Sequence, residues 1–110
     1  MRVVIAPSVA KGKIIAPPSK SIAHRALICA ALSRCSTIHR VDFSEDIEAT
    51  LRCLQALGAS VTRQGDSVTL GGLNPFAIPP CTILDCGESG STLRFLLPLC
   101  LLSSVPVSLT

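Results

Sequence analysis

Three observations predict an α/β protein built from a repeated unit. The junction "IAPPSKSIAHRAL" at residues 15–27 has a counterpart in "DCGESGSTLRFL" at 85–96. Short β-branched runs alternate with longer stretches of helical spacing along the whole chain. The resulting order, βαβαββ, starts again near Cys81 and has passed through about half of a second copy at Thr110.

Each element has a local reason. Residues 1–12, "MRVVIAPSVAKG", read as an edge strand cut by Pro7 and followed by a turn. "KIIA" at 13–16 is a short strand ended by Pro17 and Pro18. Ser19 then caps a helix through "KSIAHRALICAALS", where Ile22, Ala26, Leu27, Ala30 and Ala31 recur near helical spacing. "STIHRV" at 36–41 is the next strand. Ser44 caps a second helix with Glu45 and Asp46 in its positive first turn, Ile47, Leu51, Leu54 and Leu57 facing inward, and Gly58 as its stop. Glu48 and Arg52 are spaced as an i,i+4 pair. "ASVTRQGDSVTLGG" predicts a hairpin turning at "QGD", and Gly71, Gly72, Asn74 and Pro75 predict a loop. The second copy reads strand "CTILD", loop "CGESGS", buried helix "TLRFLLPLCLL" and strand "VPVSLT".

Composition excludes several classes of function. Of 110 residues 48% are hydrophobic, enough for a core. The net charge of +3 is small, its ten Lys and Arg are dispersed, and aromatics amount to three Phe, which leaves no stacking platform for nucleic acid. Pro98, Ser103, Ser104 and Pro106 interrupt the apolar tail, so no membrane span is expected. The first residues lack the apolar length of a signal peptide, and a cytoplasmic protein follows. The six cysteines sit among aliphatic residues and read as reduced core thiols. Neither they nor His24 and His39 have metal-ligand spacing, so no metal is expected.

The chemistry concentrates at the two junctions. A helix start presents unpaired N–H groups and the positive end of the macrodipole, and so attracts anions. Lys20 and Ser21 fall in the first turn, and Arg25 follows one turn later with a guanidinium suited to a phosphate or carboxylate. At the second junction Gly87 and Gly90 admit a close ligand, Ser91 and Thr92 offer hydroxyls, and Arg94 adds a second fork. Two such cups imply a substrate, or a pair of substrates, carrying two anionic groups. Glu88 fits badly among anion donors: it turns outward, pairs with Arg94, or serves as a helix-dipole partner. His24 reads as a packed or surface residue rather than a base, although it lies inside the first cup.

"PPSKSIAHRALICAALS", "DIEATLRCLQALGASV" and "DCGESGSTLRFLLPL" together resemble the amino-terminal portion of the 5-enolpyruvylshikimate-3-phosphate synthase family, the glyphosate-inhibited enolpyruvyl transferases of the shikimate pathway and aromatic amino acid biosynthesis. The resemblance implies transfer of the enolpyruvyl group of phosphoenolpyruvate to shikimate 3-phosphate with release of phosphate and no cofactor. It assigns Lys20 to both substrates, Ser21 and Arg25 to shikimate 3-phosphate, and Gly90 to phosphoenolpyruvate, with Ser91 and Arg94 on the same wall. Glu88 departs from the Asn of many relatives.

The same resemblance implies the inside-out α/β barrel fold, two globules of βαβαββ units, of which about one and a half units are present. Residues 1–12 would supply a strand and linker to the other globule, and 13–110 an incomplete substrate-binding globule with unit one at 13–72 and a partial unit two at 81–110. Because the family's catalytic carboxylates lie beyond Thr110, no catalytic residue is expected here and the fragment alone is expected to be inactive. Its uncovered apolar edge, Phe95 to Leu102, invites self-association. Two alternatives stand beside this reading: a non-catalytic module binding a phosphorylated small molecule, and the related transferase acting on UDP-N-acetylglucosamine, against which Ser21 and Arg25 argue.

Overall fold

In the computed structural model, which describes residues 1–110, all regular structure begins at Lys20. Its order is α1 (Lys20–Leu32), β1 (Ser36–Ile38), α2 (Glu45–Ala56), β2 (Ser60–Gln64), β3 (Ser67–Gly71), β4 (Thr82–Leu84), α3 (Gly90–Cys100) and β5 (Val107–Leu109). The strands expected within 1–12 and at 13–16 are not formed; residues 1–19 are exposed without helix or strand. A strand is held by a neighbour, and no other segment pairs with these residues. This extended arm raises the radius of gyration to 17.1 Å, against about 13 Å for a compact chain of this length.

β1, β2 and β3 form an antiparallel sheet in the order β1-β3-β2, with Val61 opposite Leu70 and Ile38 opposite Val68. The central strand buries Val68 and Leu70 on alternate positions, as a sheet with one covered face must. The two-residue turn Gly65–Asp66 joins β2 to β3 where the sequence expects it. β1 ends at Ile38, three residues short of expectation. Arg40 adopts a left-handed φ of 58° and turns the chain out of the ladder. Gly71 closes β3 directly against α1's exit: a Cβ there would run into the Arg34 carbonyl, so only glycine fits.

β4 and β5 form a parallel pair joined through α3, the connection parallel strands require. α1, α2 and α3 touch one another pairwise; the three-stranded sheet packs on α1 and α2, and β4 on α2. Leu27, Ile47, Leu54, Leu57, Leu70, Leu84 and Leu96 are fully buried at this junction. At about 1.5–3 kcal/mol each, they outweigh surface ion pairs worth about 1 kcal/mol or less.

The buried faces differ from expectation in an informative way. α1 turns His24, Leu27, Ala30 and Ala31 inward and leaves Ile22 exposed. Ile22 precedes His24 by two residues, about 200° of rotation, and so lies on the far side. α3 starts at Gly90 rather than Thr92 and is not a buried helix: it covers only Thr92 and Leu96, leaving Leu93, Leu97, Leu101 and Leu102 exposed, in line with the uncovered edge. The expected pairing of Glu48 with Arg52 is replaced. Glu48 meets Arg63 at 2.7 Å, and Arg52 reaches Asp85 at 3.3 Å across to the β4–α3 loop.

All six cysteines are free thiols, but only Cys53 and Cys86 are buried; Cys29, Cys35 and Cys81 are exposed. Burial, reinforced by neighbouring Cys86, pushes the Cys53 thiol up to about 12. A disulfide-exchange reagent at about pH 8 is expected to label Cys29, Cys35 and Cys81 at once, and Cys53 and Cys86 only as fast as the chain opens. Mass mapping of a labelling time course checks this, and prompt modification of Cys53 would contradict the packing described.

Candidate functional site

The repeated junctions fold alike. Ser19, with extended backbone, caps α1 by accepting the Ile22 N–H at 3.4 Å, and Ser89 caps α3 by accepting the Thr92 N–H at 3.2 Å. Lys20 and Ser21 therefore occupy the first turn of α1 as Gly90 and Ser91 occupy that of α3. Ser44 holds the cap position of α2, but its hydroxyl is buried without a partner. Glu45, Asp46 and Glu48 in that first turn compensate its macrodipole instead.

The starts of the three helices converge. Lys20 Nζ pairs with Asp46 Oδ2 at 3.2 Å, joining α1 to α2. Thr92 Oγ1 donates to the Asp46 carbonyl at 3.3 Å, joining α3 to the same residue. Arg25 crosses to α3, its guanidinium carbon 5.5 Å from the Phe95 ring centre, and His24 lies 6.1 Å from the same ring. Lys20, Arg25 and the Gly90–Ser91 turn thus share one neighbourhood. Arg94 does not join them, since its Nε donates to the Gly90 carbonyl at 3.0 Å and holds the side chain on its own helix. Glu88 is exposed and forms no ion pair with Arg94.

A hollow of about 360 Å³ between α2 and the β4–α3 loop is rimmed by Glu45, Asp46, Glu48 and Glu88, with Arg52 as its single cation. Its acidic rim repels anions. Lys20, Ser21, Arg25, Gly90, Ser91 and Arg94 line none of the hollows and lie on an open face. In bulk water two charges 4 Å apart gain only about 1 kcal/mol, so an open cationic shelf holds a phosphate weakly until a second surface excludes the solvent.

Sequence reasoning missed the polar chain underneath. His24 Nδ1 lies 2.7 Å from Thr50 Oγ1, Thr50 Oγ1 2.7 Å from Thr92 Oγ1, and Thr92 Oγ1 2.8 Å from Ser89 Oγ. One member comes from each helix, and His24, Thr50 and Thr92 are at most 2% exposed. A signal existed. Thr50 falls at i+3 from Ile47 and four residues before Leu54, inside the apolar stripe, where a hydroxyl must find a partner.

The fold and these capped, paired helix starts define an α/β protein built on a repeated junction. Residues 4–110 match the family model for EPSP synthase (3-phosphoshikimate 1-carboxyvinyltransferase), and the chain belongs to that family. Among curated relatives named 3-phosphoshikimate 1-carboxyvinyltransferase, that of Clostridium perfringens is 48% identical over 92% of this chain and 24% of its own length. That of Methanococcoides burtonii is 41% identical over 87% of this chain and 22% of its own. A solved EPSP synthase from Acinetobacter baumannii superposes with a TM-score of 0.63 at 25% identity, over 80% of this chain and 21% of that one. The chain spans about a quarter of the length of these relatives.

Burial lowers the His24 pKa below its ordinary 6.5; the Asp46 carboxylate opposes this and the Lys20 ammonium adds to it. The folded protein therefore favours neutral His24, while the unfolded chain keeps the ordinary value. The stability this contributes is complete above about pH 6.5 and declines as pH falls toward the lowered native value, because the unfolded state then binds more protons. Urea unfolding midpoints across that range are expected to fall with acidity in the parent and to fall less in His24→Asn. An identical slope in both would contradict a buried neutral imidazole.

Proposed function

We propose that the whole protein transfers the enolpyruvyl group of phosphoenolpyruvate to shikimate 3-phosphate, and that residues 13–110 form one wall of its substrate site. Membership of the EPSP synthase family over residues 4–110 carries the reading. The side-by-side starts of α1 and α3 supply the chemistry it needs: two sets of helix-terminal N–H groups, one cation on Lys20 and a forked cation on Arg25.

Lys20 lies between the two helix starts and contacts both substrates. Ser21 and Arg25 hold the phosphate of shikimate 3-phosphate, and Gly90 lets phosphoenolpyruvate approach the α3 start, with Ser91 beside it. Arg94 reaches this wall only by releasing the Gly90 carbonyl. Lys20 likewise exchanges Asp46 for substrate, a small cost for so exposed a pair. In the reaction the enol carbon takes a proton, the sugar-like hydroxyl bonds to the adjacent carbon, and the tetrahedral intermediate expels phosphate as the methyl group loses a proton. The residues described position anions. The acid and base carboxylates belong to the opposite wall, and no metal or organic cofactor is called for. The open face is the counterpart of that wall, with residues 1–12 as its strand and linker. The protein acts in the cytoplasm, and no helix is long and apolar enough to cross a membrane. In the isolated chain the exposed leucines of α3 drive self-association.

Calorimetric titration with shikimate 3-phosphate tests the wall. Lys20→Ala and Arg25→Ala are each expected to weaken binding tenfold or more, as for loss of a charged hydrogen bond worth about 1.5–3 kcal/mol. Binding unaltered by both substitutions would overturn the assignment. The 110 residues alone are expected to release no phosphate from the paired substrates above background, and sustained turnover by them would refute the placement of the catalytic carboxylates elsewhere.

A further inference from the structure

We infer that Thr50, linked to His24 and Thr92 through buried hydroxyl and imidazole contacts, is a positioning residue that fixes the α1 and α3 starts relative to one another. The inference deepens the proposed function and rests on it for the identity of the ligand. Thr50 touches neither helix start itself. It sits one turn inside α2, and its Oγ1 is shared by His24 of α1 and Thr92 of α3 at 2.7 Å each. Thr92 is the third residue of α3, two after Gly90, and His24 lies one turn after Lys20 on α1. A shift of either helix along its axis breaks one of these contacts inside a site closed to water, where a replacement partner is not at hand.

Proton counting makes the chain directional. A threonine hydroxyl has one proton to give. Thr92 Oγ1 gives its proton outward, to the Asp46 carbonyl or Ser89 Oγ, at 3.3 and 2.8 Å. It must then accept from Thr50, and Thr50, its proton used, must accept from His24 Nδ1–H. The tautomer of a histidine on one substrate-binding helix is thereby set by a hydroxyl on the other, which packing of apolar groups alone would not produce.

Two arms of one experiment, the ligand-free arm on this chain and the shikimate 3-phosphate arm on the whole protein, test the inference. Without ligand, ring nitrogen shifts are expected to report the Nδ1–H tautomer of His24 in the parent and the Nε2–H tautomer in Thr92→Val, where Thr50 has lost its acceptor and donates to the ring instead. The amide signals of Lys20, Ser21, Gly90 and Ser91 are expected to shift in Thr50→Val and return in Thr50→Ser. With shikimate 3-phosphate, Thr50→Val is expected to bind about tenfold more weakly than the parent and Thr50→Ser within about twofold of it. A His24 ring unaffected by Thr92→Val, or parent-like affinity in Thr50→Val, overturns the inference. If Thr50→Val does not fold, Thr92→Val replaces it in both arms. If the parent itself does not bind, the substrate reading falls, and the ligand-free shifts still decide the positioning role.

Discussion

The hydroxyl contact between Thr50 and Thr92, extended to His24, is the constraint on which the arrangement of the helices depends. Leucine packing brings α1, α2 and α3 together, but apolar contact is non-directional and tolerates sliding. Hydrogen bonds at 2.7 Å in a dry junction tolerate little. The core supplies the greater stabilisation, and the polar chain selects one register from the several that a leucine junction would accept. That register brings the two helix starts side by side.

Above this junction the electrostatics are mild. Each ion pair joins exposed partners, and the cations assigned to substrate are either shared with Asp46, stacked on Phe95 or folded back on the helix. Such groups are held ready at little energetic cost and released easily. The acidic hollow at the start of α2 supplies contrast, since its carboxylates repel anions there. An open face of this kind is suited to a site completed by a second surface, where exclusion of water would strengthen every one of these contacts.

The two junctions follow one local plan with different content. Ser19 and Ser89 are equivalent caps, followed by Lys20 and Gly90 and then by Ser21 and Ser91. Beyond that the copies diverge. His24, five residues after its cap, faces the junction, whereas Arg94, also five after its cap, faces solvent. The repeat preserves what a helix needs to begin and varies what the helix then presents.

Much was legible from residues alone where local chemistry decides. The Ser19 cap, the Gly65–Asp66 turn, the inward stripe of Ile47, Leu51, Leu54 and Leu57 and the doubled junction all follow from short-range rules, whereas the Ser44 hydroxyl makes no cap bond and the Ser89 cap was not foreseen. Strands at 1–12 and 13–16 were not decidable in that way, because a strand exists only with a neighbour to accept its hydrogen bonds. Side-chain partners were hidden for a similar reason: Glu48 and Arg52 satisfy a helical rule, yet each finds a charge brought near by another element. The amino-acid order by itself determined the class of fold, the starts of α1 and α2 and the repetition of the junction, all of which depend on residues a few positions apart. Only the tertiary structure decided that His24, Thr50 and Thr92 meet, since they lie 26 and 42 residues apart and only close packing of three helices brings them within hydrogen-bond reach.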